Sequence, residues 1–257
     1  MQFSNLPDKI NLKKGNDRSS RIELDMFAQP DETTCGPTCL HAVYRFYKDP
    51  IELLQVVKEV HTFEDGGTLA VWLGCHALRR GYQAELYTCN LQLFDPKWFV
   101  QKGVNLAEKL EEQLKYKHDP KLQRATVALQ DFLKLGGIIK FEDFTRELIR
   151  KQLNQNLPIL TGLSSTSLYR SSREISTSAT TIEYDDVRGE PGGHFLILCG
   201  YDKESKNVLI ADPYIQNPFS VTLKYEVQID RVISSILLGS STFDNNFLII
   251  KQGEQGK

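Results

Sequence analysis

The chain has 257 residues, 40% of them hydrophobic and 25% charged, an ordinary globular balance that can bury a core without staples. A net charge of −2 excludes a global basic field of the kind that binds nucleic acid or anionic lipid. No apolar run reaches membrane-helix length, and Met1 to Pro7 lacks the apolar centre of a signal peptide. The five cysteines (Cys35, Cys39, Cys75, Cys89 and Cys199) are odd in number and irregular in spacing, which argues against a disulfide framework. A cytoplasmic protein with no nucleic-acid or membrane partner is expected.

Residues 1–26 read as an N-terminal arm, with a short basic run from Lys9 to Arg21 that is solvated. Thr33 and Thr34 are turn or cap types, Pro37 suits a first helical turn, and Leu40, Val43, Tyr44 and Tyr47 form an apolar stripe. The pattern predicts a helix from Pro37 to Tyr47, a second over Ile51 to Val60, and a third over Leu69 to Arg80 stopped by Gly81. Tyr82 to Thr88 alternates like a strand.

Residues 97–156 read as mostly helical. Leucines at 106, 110 and 114 line one face, a second helix closes at Gly136 and Gly137, and a third runs from Phe141 to Asn154. Within this stretch, residues 97–140 read as a helical extension or insertion of one 257-residue domain, since no flexible linker brackets them. Such a block could also be a docking surface for a protein partner, although leucines at helical spacing are more often core. Ile159 to Leu163 reads as a strand. Eleven of the next eighteen residues, 164–181, are Ser or Thr, which suggests a disordered or working loop. Strands are expected at His194–Tyr201, Asn207–Ala211 and Phe247–Lys251, and a helix at Tyr225–Leu238. Helices followed by strands give an α+β class.

Four residues carry the chemistry. Cys35 stands at a loop-to-helix junction, where the helix dipole favours a thiolate, and Gly36 adds no side chain near the sulfur. His194, in Gly192-Gly193-His194-Phe195, could serve as its base. Asp212 ends an apolar strand ahead of Pro213 and could orient the histidine. Gln29 could join the Cys35 backbone N–H as an oxyanion donor. Each has a plainer reading: a buried thiol, a satisfied strand histidine, a turn former, a surface amide. Asp31 could cap or shape the loop. Cys39, Cys75, Cys89 and Cys199 read as small buried hydrophobes, and His41, His61, His76 and His118 as surface or core residues. No Cys/His pairing has zinc spacing, and no phosphate-binding glycine loop occurs, so neither metal nor cofactor is expected.

The segment Gln29-Pro30-Asp31-Glu32-Thr33-Thr34-Cys35-Gly36-Pro37-Thr38-Cys39-Leu40 resembles the active-site segment of the double-glycine leader peptidases. These are papain-like cysteine peptidases that process bacteriocins. Gly193-His194-Phe195 with Gly200-Tyr201-Asp202 is similar to their histidine segment, and Ile210-Ala211-Asp212-Pro213 to their aspartate segment. Gly67-Thr68-Leu69 through Tyr82 is similar to an intervening helix of theirs. The likeness spans 27–89 and 141–215.

It implies a papain-like fold, with a helical lobe carrying Cys35, an antiparallel β lobe carrying His194 and Asp212, and a cleft between them. It also implies cleavage of a peptide or amide bond in a peptide or protein substrate. No transporter segments follow, so a stand-alone member is expected. The long block at 97–140 and the Ser/Thr-rich stretch depart from the family's compact pattern and leave its leader preference unassigned. Phytochelatin synthases share the arrangement and transfer acyl groups. Acyltransfer or transpeptidation, or an inactive peptidase-like binding module, are therefore the alternatives. Tyr169 with Arg170, or Asp185 with Asp186, are candidates for substrate contact.

Overall fold

The computed structural model describes residues 19–64, 66–178, 181–239 and 245–253, without the side chains of 176–178 and 181–182. Most of the basic arm lies outside these residues. Its last part does not behave as a solvated arm. Ser20–Arg21 (β1) pairs with a later strand, and Ile22 and Leu24 are buried.

The helices come next, at Cys35–Phe46 (α1), Leu53–Glu59 (α2) and Ala70–Arg79 (α3), followed by the strand Gln83–Thr88 (β2). The block at 97–156 holds Lys97–Val100 (α4), Leu106–Leu114 (α5), Pro120–Lys134 (α6) and Arg146–Asn154 (α7). It also holds a strand, Ile138–Phe141 (β3), where the sequence pattern had suggested helix. Four residues between helices are too few to show a period of two against a period of 3.6. Gly136, at φ +90°, turns the chain into this strand.

The remaining elements are Ile159–Ser164 (β4), Ser165–Tyr169 (α8), Glu174–Ser178 (β5), Thr181–Tyr184 (β6), Gly193–Tyr201 (β7), Asn207–Ala211 (β8), Lys224–Gln228 (β9), Ile229–Leu238 (α9) and Asn246–Lys251 (β10). Among its described residues the Ser/Thr-rich stretch is therefore a short helix and a strand paired antiparallel with β6, rather than loop throughout. Ser164 caps the short helix by accepting from the Ser167 amide, and the Ser165 hydroxyl donates to Glu174. The expected helix at Tyr225–Leu238 begins later, because Lys224 to Gln228 alternates and pairs with β8.

The main sheet runs β3-β2-β10-β4-β7-β8-β9, with β1 added to β7. Its pairs are antiparallel except β2 with β3. The class is α+β, as the order of elements predicts. Every residue of β4 is buried, as is all of β7 after Gly193, so helices cover both faces at the sheet's centre. The leucine stripe of the 97–140 block is core in part: Leu110, Leu122, Leu129 and Phe132 are buried. Phe132 fills the space that a Cβ on Gly74 or Gly137 would need, at 2.6 and 2.4 Å, which locks α6 against α3. Among the described residues no helix is long and apolar enough to cross a membrane.

Candidate active site

The α1 helix begins on Cys35 itself, two residues ahead of the start read from Pro37. The turn before it is knotted by Asp31, whose Oδ1 accepts from the Thr33 amide and hydroxyl at 2.8 Å each. No side chain caps the helix, so its first-turn amides are left without a side-chain acceptor. Gly36 has a tighter role than leaving the thiol open. A Cβ there would lie 2.6 Å from Thr68 Cγ2 and 3.3 Å from the Phe195 ring.

Helix α1 packs on β7, and the Cys39 thiol donates to the Phe195 carbonyl at 3.3 Å. That contact brings Cys35 alongside the residue preceding Phe195, which is His194. The Cys35 thiol lies close enough to the His194 ring to interact with it electrostatically. On the ring's other side, His194 Nε2 lies 2.8 Å from Asp212 Oδ1. Nδ1 is therefore the nitrogen left for Cys35. Asp212 sits just past β8, and its amide donates to the Leu223 carbonyl at 2.8 Å. The pairing of β7 with β8 fixes the histidine strand against the aspartate strand. Cys35, His194 and Asp212, far apart in the chain, thus come together at one place.

The electrostatics follow from burial and pairing. Burial alone would lower the His194 pKa, but the Asp212 charge and hydrogen bond, with Cys35, hold it well above the ordinary histidine value. Burial alone would raise Asp212, and the His194 charge with its hydrogen-bond donors brings it below the ordinary carboxyl value. Asp212 is fully buried and accepts four bonds. Oδ1 takes His194 and the Tyr214 amide at 2.9 Å, and Oδ2 takes the hydroxyls of Tyr169 at 2.6 Å and Tyr225 at 2.5 Å. Burial pushes the Cys39 thiol well up, Cys75 to about 11 and Cys199 to about 12. All five cysteines are free.

Gln29 is placed near by its backbone, whose amide donates to the Pro213 carbonyl at 2.9 Å and so ties the Gln29 loop to the Asp212 corner. Its side-chain Nε2 donates to the Asp31 carbonyl at 2.8 Å, while Oε1 is buried without a hydrogen-bond partner among the described residues. The amide is thus turned onto its own loop.

The candidates for substrate contact lie as follows. Tyr169 spends its hydroxyl on Asp212. Asp185 caps a turn, accepting from the Val187 and Arg188 amides, and the Asp186 carbonyl accepts from Arg173. Of the other histidines, His41 and His76 are buried, and His76 bridges the Tyr44 hydroxyl at 2.7 Å and Glu59 at 3.0 Å, away from the site. Sequence reasoning missed Tyr225 and Glu174. The Glu174 carboxylate occupies the space of a Gly192 Cβ and accepts from the Ser165 hydroxyl at 3.1 Å. Burial raises its pKa, opposed by that bond and by His194 nearby. Among the described residues no three His, Cys, Asp or Glu side chains gather as a metal site.

Thiol, imidazole and carboxylate gathered in this way are the side-chain types that thiol hydrolase chemistry uses. The sequence profile of the Peptidase_C39 like family matches residues 21–231, and the chain belongs to that family. No curated protein sequence gives a match. Two solved structures are similar. One is a double glycine motif protease from an AMS/PCAT transporter in complex with the leader peptide, 16% identical, with a TM-score of 0.43, covering 91% of this chain and 94% of that one. The other is a putative C39-like peptidase from Bacillus anthracis, 12% identical, with a TM-score of 0.46, covering 89% of this chain and 97% of that one.

Proposed function

We propose that the protein is a cysteine peptidase or amide hydrolase acting on a peptide, with Cys35 as nucleophile, His194 as base and acid, and Asp212 as the group that orients His194. The observation that carries this reading is the 2.8 Å hydrogen bond from His194 to Asp212 with the Cys35 thiol beside the same imidazole ring. The Cys35 proton passes to His194 and the sulfur attacks the scissile carbonyl. The tetrahedral oxyanion collapses to a thioester as the amine leaves with the proton from His194. Water, deprotonated by His194, then attacks the thioester and releases the acid and the free thiol.

The first-turn amide of Cys35 is one oxyanion donor. Gln29 is the second once its side chain swings from the Asp31 carbonyl toward the cleft. Five unpaired cysteines suit a reducing compartment and support a cytoplasmic setting.

The test is iodoacetamide alkylation of each cysteine, resolved by mass spectrometry at pH 6, in wild type and His194→Ala. Cys35 is expected to react at least ten-fold faster than Cys39, Cys75 and Cys199, and to lose that advantage without His194, since the imidazole takes the thiol proton. If Cys35 is no faster than the others, or keeps its rate in folded His194→Ala, the assignment is wrong. Cleavage of a random peptide library, present in wild type and absent in Cys35→Ala, would then identify the bond attacked.

A further inference from the structure

Nothing in the reaction as proposed requires the second oxygen of Asp212. Yet that oxygen carries two of the shortest hydrogen bonds around the site, from Tyr169 at the end of α8 and Tyr225 on β9. We propose that Tyr169 and Tyr225 are positioning residues for the reaction: their hydroxyls hold Asp212 ionised and aim its Oδ1 alone at His194. The inference rests on the roles given above to Cys35, His194 and Asp212.

The geometry assigns the two oxygens different work. A carboxylate has about four lone-pair sites, and here all four are used. With Oδ2 held by two phenols, the carboxylate can neither rotate about its Cβ–Cγ bond nor present both oxygens to the imidazole. Both tyrosines are themselves fixed. Tyr225 is buried with its ring tilted against Phe219 at 4.8 Å, over which Arg231 lies at 5.1 Å. Tyr169 is half-buried against the same Phe219 ring and against Tyr214. Register sets Tyr225 beside Ile210, two residues before Asp212. Tyr169 precedes Arg170, whose left-handed φ of 55° ends α8 at the position that presents the phenol. Burial and the nearby carboxylate push both phenols far above their ordinary pKa, so they stay protonated donors throughout the working pH range.

The phenols also act on charge. Each hydrogen bond to Oδ2 draws electron density from the carboxylate and weakens its pull on the imidazolium proton. The other ionisable groups facing the pair are Cys35 from α1, Cys39 one turn on, Glu174 from β5 and Tyr214, with Arg231 of α9 beyond Tyr225. None of these reaches Oδ2 by a hydrogen bond. Removing one phenol should therefore raise the His194 pKa, while loosening its orientation should slow the reaction without changing substrate affinity.

The experiment is the pH titration of the His194 ring by NMR with isotope-labelled histidine, in wild type, Tyr225→Phe, Tyr169→Phe and Asp212→Asn. Melting curves identify which variants are folded. Two phenylalanine variants are used because the buried Tyr225 is the harder of the two to replace. The expected result is a His194 pKa higher by about half a unit or more in a folded phenylalanine variant. A purely structural role would lower the melting temperature and leave the titration where it is, and that outcome, or a fall in pKa, overturns the proposal. Asp212→Asn separates the two levels. If it lowers the His194 pKa while the phenylalanine variants do not move it, only the tyrosine assignment fails. If Asp212→Asn also leaves it unchanged, the role given to Asp212 fails first.

Discussion

The Cys39 thiol donates to the carbonyl of Phe195, the residue after His194, at 3.3 Å. Cys39 is one helical turn from Cys35, so this bond registers the helix of Cys35 against the strand of His194. Fully buried and held protonated by its surroundings, Cys39 is a donor and a packing group rather than a second nucleophile. Cys39→Ala removes the donor, leaves the Phe195 carbonyl short of a partner on that side and opens a small void. We predict a loss of about 1–2 kcal/mol in stability, measured by urea denaturation, because both an unsatisfied group and a cavity contribute. The same variant should slow alkylation of Cys35. Unchanged stability together with an unchanged Cys35 rate would show that the contact registers nothing.

Gly36 offers a sharper test, because its neighbour is named. A methyl at this position would press on Thr68 Cγ2 at 2.6 Å. Thr68 is buried, and its hydroxyl donates to the His61 carbonyl at 2.7 Å, so it cannot simply turn away. Gly36→Ala is predicted to destabilise by about 1–3 kcal/mol, the usual cost of overpacking. Thr68→Ser keeps the hydroxyl and deletes the obstructing methyl. The double variant should therefore regain most of the loss, a coupling that a double-mutant cycle measures directly. Simple additivity of the two changes would mean that the clash lies elsewhere, with the Phe195 ring.

The three residues of the candidate triad were legible because each stands at a local punctuation mark. Cys35 lies at a helix start, His194 follows two glycines into an apolar strand, and Asp212 closes such a strand before Pro213. What surrounds them was not legible. Tyr225 lies in a five-residue alternation that runs straight into the apolar stripe of α9, so the helical period swallowed it. The contacts from Tyr169 and Tyr225 to Asp212 are tertiary, and no spacing rule links 169 or 225 to 212. The direction of the Gln29 amide is a side-chain torsion, set by competition between the Asp31 carbonyl and the cleft. The hairpin of β5 and β6 was hidden by its own composition, since Ser and Thr serve turns, strand edges and disorder alike.

Glu85 carries the clearest pH signature away from the site. Burial alone would raise its pKa, but Lys140 at 2.8 Å, Lys251 at 2.5 Å and the Tyr87 hydroxyl at 3.0 Å outweigh it and bring the carboxyl to about 2. The lysines reach it from the neighbouring strands β3 and β10, so the cluster staples the β3-β2-β10 end of the sheet. A depressed folded-state pKa means that the contribution is complete above the unfolded value of 4.5 and is lost as pH falls toward about 2. The two lysine side chains are 35% and 29% exposed, so solvent screening takes a large share of the nominal linkage energy. We predict that Glu85→Gln costs on the order of 1–2 kcal/mol at pH 7 and that the difference from wild type shrinks steadily between pH 4.5 and pH 2.5, followed by guanidinium unfolding at each pH. A penalty of the same size at both ends of that range would mean that the glutamine is costing packing, with no contribution from the charge.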